Sequence, residues 1–446
     1  MKKTMPVLLI LCLTTVLLGF LWVGHGAGSV TVKFMTWEPA TFSGAIEKYE
    51  KDTGNKVEIV ADDPAKVIAM GAAGDAIDVL EFHAGGQVMD LATRGYLLAL
   101  DNMMLRSKLL KKSELLAINN LCRWDGKAVG KGPFYGLVKD FGDSVMWYNK
   151  RMFDKAGVAY PSQTVPLTAA EFRALCKKLT VYKDGKIVQY GLAEPSAGTV
   201  WNGPDLGNMA RAAISSGQKF GNYAFSADYK KLSFDENTPG VLGFVTMLVE
   251  MSMQDHSWPS PLDPSSSWAG DLFIHDKAAI QLAGPWFVGW CVNSDPEAKK
   301  ILGFAPTPLL WGTKQIYPME TNCGYAMMKG ANKTAGFKLL EYLQYYGGEV
   351  NAKIAWNLPT IKSLYKLLPT SDPFWQPYFK EVDRILKIET LTAPNPYAPE
   401  WGPLNTALFG TNLNDLYAGK ITIKQWLKQG LAAVNAKIAE SVEAKS

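Results

Sequence analysis

Apolar positions change their period along the chain, and the change marks out the elements. Val30, Val32 and Phe34 alternate with polar residues, the two-residue period of a strand. Phe42, Ile46 and Tyr49 then recur at the spacing of one helix face, which Gly54 closes. Val57 and Ile59 predict a second strand and Ile77 to Phe82 a third, each followed by a helical stretch. Asp63-Pro64 has the order of a helix cap and a first-turn proline, and the helix after the third strand is predicted to end near Gly95. A second series opens with a strand at Val145–Tyr148, running into a helix that ends at Gly157. Thr168-Ala-Ala-Glu171 predicts a capping box, with Phe172, Leu175, Cys176 and Leu179 on the face behind it. Further strands are predicted at Val188–Leu192, Ala278–Leu282 and Gly324–Met328. Helices follow Thr238-Pro239 and cover Thr334–Tyr346, up to Gly347-Gly348. A second capping box, Thr422-Ile-Lys-Gln425, opens a C-terminal helix carrying Trp426, Leu427 and Leu431. Strands separated by helices of this size imply βαβ units with a parallel sheet covered on both faces, in at least two lobes.

The N-terminus adds a compartment to this picture. Lys2 and Lys3 precede an uncharged run that lasts until Lys33, and Gly24, Gly26, Ala27 and Gly28 offer a cleavage region, the order of an export signal. Pro6 to Val23 is also nearly long enough to remain as an anchor. Export to the periplasm or cell surface is expected either way. Beyond residue 28 only Cys122, Cys176, Cys291 and Cys323 remain, too few for a disulfide framework, and Cys176 fits a buried free thiol.

Charge and motif then remove function classes. The chain is +4 and its Lys and Arg are scattered, whereas a nucleic-acid binder concentrates them on one element. His25, His83, His256 and His275 lie far apart and no paired CxxC occurs, so neither a metal site nor a cofactor is expected. There is no GxSxG elbow, and none of the 42 acidic residues stands out as an acid–base pair, so no enzyme is expected.

Six stretches resemble one family. Gly74-Asp-Ala-Ile-Asp-Val79 with Leu91-Ala-Thr-Arg-Gly-Tyr-Leu97 is similar to the "GDxPDV … LxxxGxL" segment of the solute-binding proteins of ABC importers, in the maltodextrin and multiple-sugar class. Residues 147–157, WYNKRMFDKAG, resemble that family's "YYNKxxFxKAG", and 168–180 its "TxxEFxxxxxKLT" helix. Phe273–Ile280 with Gly284-Pro285-Trp286 resembles "FxxGKAAM … GPW"; Gly303–Pro306 and Gly419–Trp426 match later landmarks. Ile77 stands where the family usually has Pro, and His275-Asp276 replaces a small-residue turn. The resemblance implies a periplasmic-binding-protein-like fold, two α/β lobes joined by a three-crossover hinge with the ligand cleft between them. It implies crossovers near Asp140–Ser144, Thr321–Tyr325 and Tyr346–Glu349. The N-terminal lobe would take 29–141 and 323–347, and the C-terminal lobe 142–322 and 348–446. A monomer that captures a sugar or oligosaccharide, closes on it and presents it to membrane permease subunits follows as the expected function. The same fold could instead take a polyamine, a glycerol phosphodiester or a peptide, and a secreted glycoside hydrolase is the rival of another class.

A sugar ring has an apolar C–H face, which an aromatic plane covers, and an equator of hydroxyls, which Asp, Glu and Asn take up. That chemistry selects the candidates. Gly284-Pro285 places Trp286 on a turn at the end of an element, where family placement implies a stacking platform. Trp37 and Glu38 end the first strand, Asp62 follows the second, and Phe82 and His83 end the third, where the loops of a parallel sheet face a ligand crevice. Asp63 beside Asp62 reads better as the helix cap. Glu194 and Trp201 lie in the segment that faces sugar in relatives, and Asp140 and Asp143 flank the first crossover. Tyr317, Glu320 and Asn322 precede the second, and Trp356 and Trp401 are candidates for closing the site.

Overall fold

The computed structural model describes residues 29–444, except 84, 143, 194–204, 221, 261, 263–268, 310, 317, 320–322, 389, 392–394 and 398–400. Two five-stranded sheets organise it. In the first, Thr31–Thr36 lies between Lys56–Ala61 and Val79–Phe82, parallel to both, from Thr31↔Lys56 on one side and Phe34↔Val79 on the other. Gly324–Ala326 and then Gly136–Val138 complete this sheet with antiparallel pairings. In the second, Lys186–Leu192 runs parallel to Ala278–Ala283, and Val145–Asn149 is antiparallel to both Ala278–Ala283 and Leu302–Ala305. The expected strand–helix alternation is what builds both lobes.

Local signals act as the sequence predicts in most elements. Gly54 ends the helix Ser43–Thr53 at φ 74°, a left-handed conformation that costs glycine little. Asp63 accepts a hydrogen bond from the Lys66 amide and caps Pro64–Ala73. Both capping boxes form, Thr168 with Glu171 and Thr422 with Gln425. The glycine pair at 347–348 does otherwise. The helix Lys333–Tyr342 passes through a π turn, Leu343–Gly347, into a further helix, Gly348–Ile354. A side chain at Gly348 would lie 3.0 Å from Leu364, so this glycine allows close packing where a stop was expected.

Each lobe has its own core. Val32, Phe34, Tyr49, Val79 and Leu340 pack around the first sheet, and Met146, Phe172, Ile280, Phe244 and Trp426 around the second. A third cluster, including Phe82, Phe141, Val145, Trp147 and Phe287, fills the junction between them. Trp147 is fully buried there, and its Nε1 donates to the Ala283 carbonyl at 3.1 Å. The chain leaves the first sheet at Val138 and enters the second at Val145; between them Asp140–Phe141 pairs with Leu358–Pro359. The result is two α/β lobes with a cleft between them. Among the described residues no helix is long and apolar enough to cross a membrane.

Candidate ligand cleft

Three parallel strands end at the same edge of the first sheet, and the residues after them meet. Trp37 stacks on His83 with ring centroids 3.8 Å apart and planes at 17°. His83 Nε2 lies 2.7 Å from Asp62 Oδ2, which ties the loop after the third strand to the loop after the second. The imidazole is the outer ring of the stack, its side chain 40% exposed. The Trp37 indole also has the Lys139 ammonium 5.2 Å from its centroid.

Behind this pair lies a buried ionic network. Lys139 donates to Glu38 and, at 2.5 Å, to Glu81, whose other oxygen accepts from the Thr36 hydroxyl. Glu81 is fully buried and the Lys139 side chain is 6% exposed. Removal from water holds the Glu81 carboxyl above the usual carboxylate range, with the Lys139 charge pulling the other way. Burial works against the Lys139 ammonium too, but Asp140 and Glu81 keep it protonated well above the ordinary lysine value. Asp140 is pushed up to about 6 by burial, against the Lys139 charge beside it. Both its oxygens are sealed from solvent and lack a hydrogen bond of normal geometry, although the Asn357 side chain is a favourable neighbour.

The second lobe reaches the same region with glycines that seat two indoles, its own Trp286 and the incoming Trp356. The strand Ala278–Ala283 ends, Gly284-Pro285 turns, and Trp286 becomes the first residue of the helix Trp286–Ser294. It is half-buried, packed partly against the junction cluster and edge-on to Phe287 at 6.1 Å. A side chain at Gly284 would meet the Trp286 ring at 2.8 Å, and one at Gly289 would meet the half-buried Trp356 at 2.5 Å. One at Gly142, on the passage between sheets, would strike Pro285 at 2.7 Å and Asn357 Oδ1 at 2.9 Å. Three glycines thus let the passage, the Gly284-Pro285 turn and Trp356 close on one another.

Of the predicted residues, the structure gathers Trp37, Glu38, Asp62 and His83 on one lobe, brings Trp286 to the passage side of the other, and seats Trp356 against that side on Gly289. Phe82 is corrected: its side chain is fully buried in the junction core, packed so closely that a side chain at Gly324 would meet it at 2.4 Å. The expectation that Asp140 takes ligand hydroxyls is corrected likewise, because it is 2% exposed. Asp143, Glu194, Trp201, Tyr317, Glu320 and Asn322 lie outside the described residues, as does the side chain of Trp401, which opens the helix Trp401–Phe409. Sequence reasoning missed Lys139 and Glu81. Their signal was a charged residue inside a short apolar strand run, in Leu137-Val-Lys-Asp-Phe141 and Val79-Leu-Glu-Phe82, which demands a buried partner. Among the described residues no group of three or more His, Cys, Asp or Glu is placed to hold a metal ion.

Two α/β lobes, strand ends facing a common cleft and paired aromatic and acidic groups there define a binding protein of the periplasmic type. The chain belongs to the bacterial extracellular solute-binding proteins, whose family pattern matches residues 36–349. Its fold is similar to that of an ABC transporter solute-binding protein from Thermotoga lettingae bound with alpha-D-tagatose, at TM-score 0.74 and 18% identity over 92% of this chain and 99% of that one. An ABC substrate-binding protein from Listeria monocytogenes in complex with cycloalternan aligns at TM-score 0.73 and 21% identity, over 92% and 98%. The GacH receptor of Streptomyces glaucescens, studied with acarbose, aligns at 0.68 and 18%, over 93% and 99%. A search of curated proteins finds no match.

Proposed function

We propose that this protein captures a sugar or oligosaccharide between its lobes, closes on it and delivers it to the permease subunits of an ABC importer. One observation carries the reading: aromatic rings come to the cleft from two separately built lobes, with carboxylates beside those of the first. Trp37 and His83 with Asp62 and Glu38 line one side, Trp286 stands on the other, and Trp356, from the segment before the third exchange, packs on Gly289 of the second lobe. A ligand drives closure only by its differential affinity for the closed state, so it must touch both. The named neighbours that bind tagatose, cycloalternan and acarbose support a carbohydrate. The protein acts outside the cytoplasmic membrane, with residues 1–28 as its export signal or anchor, and binds without catalysis.

The lobes in this reading exchange chain three times. The first exchange falls at 139–144 and the second between Ala305 and Gly324. The third is better placed after Leu367 than at 346–349, since Ile361 and Leu364 pack with the first sheet's core and Trp375 with the junction.

A cationic ligand such as a polyamine is the second reading, favoured by three carboxylates, Glu38, Glu81 and Asp140, around one lysine. Two of the three are sealed from solvent, which favours the sugar. Thermal-shift screening against sugars and polyamines separates the two: stabilisation by neutral sugars is expected, and stabilisation by cations alone would overturn the carbohydrate reading. Trp286→Ala is expected to weaken sugar binding by about 2 kcal/mol, the scale of a lost aromatic anchor, with the fold intact. Unchanged affinity would remove Trp286 from the site. Incubation with oligosaccharide is expected to release no new reducing ends.

A further inference from the structure

A second groove lies on the C-terminal lobe, lined by none of the cleft residues. Along the helix Ala169–Leu179, the positions Ala170, Arg173, Ala174 and Lys177 form an i, i+3, i+4, i+7 stripe distinct from the face that buries Phe172, Cys176 and Leu179. Along Val241–Met253, Gly243, Thr246, Met247 and Glu250 form the same stripe. The two stripes are the walls of a groove of about 680 Å³, within the range of small-molecule sites. Small residues hold it open, and its two ends differ.

At one end stands Trp311, 36% exposed. Its indole rests on Gly243, where a Cβ would come within 2.3 Å of the ring. Gly312 follows at φ 84°, where a Cβ would strike the Ser215 backbone at 2.5 Å. Two positions that exclude larger side chains therefore seat one half-open indole, an arrangement that core packing does not require. Toward the other end Arg173 bridges the helices, pairing with Glu250 and with Asp255 at 2.5 Å, while Lys177 reaches Asp255 at 3.1 Å. Arg173 and Glu250 remain 29% and 30% exposed. Gly243 and Glu250 are seven residues apart, about 10 Å along the helix.

We infer that this groove is a second carbohydrate site, separate from the cleft, with Trp311 as the stacking platform and the Arg173–Glu250 pair as the hydroxyl-binding end. Two cations answer two anions there, so the groove offers fixed donors and acceptors without net charge. That suits a neutral polyhydroxylated ring with one apolar face, and it gives neither a phosphate nor a polyamine an uncompensated partner. The length accommodates a ring on the indole with its polar rim at the ion pair.

Protein labelled with 5-fluorotryptophan tests the inference by ¹⁹F NMR, with the Trp311 resonance identified by its loss in Trp311→Phe. Titration with maltotriose and mannotriose is expected to shift that resonance saturably for at least one of them, with a Kd tighter than about 1 mM. Glu250→Gln should weaken the response about tenfold, and Trp286→Ala should leave it unchanged. A Trp311 resonance that stays still with both sugars overturns the site. So does a shift that survives Glu250→Gln undiminished, or one that vanishes in Trp286→Ala and so only echoes the cleft. The Trp286 resonance reports the cleft separately: a silent Trp286 with a responsive Trp311 would sink the cleft proposal and leave this one standing.

Discussion

The two lobes meet the cleft with opposite physics. The N-terminal lobe places a buried ionic network, Lys139 with Glu38 and Glu81, beneath a Trp37–His83 stack. The C-terminal lobe uses shape alone: its Gly284 seats Trp286 and its Gly289 seats Trp356 from the adjoining passage, and neither glycine leaves room for a side chain. A charged network is fixed by partners and fails when one is removed. A packed indole is fixed by volume and fails when atoms are added. The difference teaches which kind of substitution each side should resist.

Lys139→Met tests the first lobe hardest. It leaves Glu38 and Glu81 without their cation in a dry site, so urea denaturation should show a loss of about 3–5 kcal/mol. Adding Glu81→Gln should restore part of that loss, because it removes one uncompensated carboxylate. An equal loss in single and double variants would mean that Lys139 contributes packing rather than charge.

Asp140→Asn should act in the opposite direction. The folded protein holds this proton up to about pH 6, whereas an ordinary aspartate releases it near 3.8. Its contribution to stability is fully present below pH 3.8 and is lost as the pH rises through about 6. Asparagine cannot ionise, so the variant should gain on the order of 2–3 kcal/mol at pH 7, and its stability should vary less between pH 4 and pH 6. Melting curves across that range decide it, and a parent whose stability rises there would contradict the assignment.

Gly289→Ala tests the second lobe. The added carbon falls 2.5 Å from Trp356, and the overpacking should cost about 1–3 kcal/mol and displace the indole. A melting temperature equal to the parent's would show that Trp356 yields freely. His83→Ala should have the smallest effect, under about 1 kcal/mol, since its pair with Asp62 is part-exposed. Uncovering Trp37 should nevertheless shift tryptophan emission to longer wavelength.

The strand ends were legible in the sequence because the alternating runs stop just before Trp37, Asp62 and His83. A parallel sheet then delivers all three to one edge, whatever their separation along the chain. The capping boxes at Thr168 and Thr422 were legible because capping is local chemistry. Lys139 and Glu81 were not, since they sit 58 positions apart and only sheet pairing brings them together. Phe82 misled for a related reason. It ends a strand, as a cleft residue would, but that strand is buried along its whole length, and only the sheet's surroundings reveal it. The glycines at 347–348 carry the residue type of a helix stop, yet the helix runs on through them and Gly348 lets Leu364 approach.

Small-angle scattering, recorded while the protein is titrated with neutral oligosaccharides, tests most directly whether both lobes grip one sugar. A saturable fall in the radius of gyration with a neutral sugar is expected, and Trp286→Ala should need more sugar to reach it. Compaction by spermidine alone, or sugar binding that leaves the radius unchanged, would contradict it.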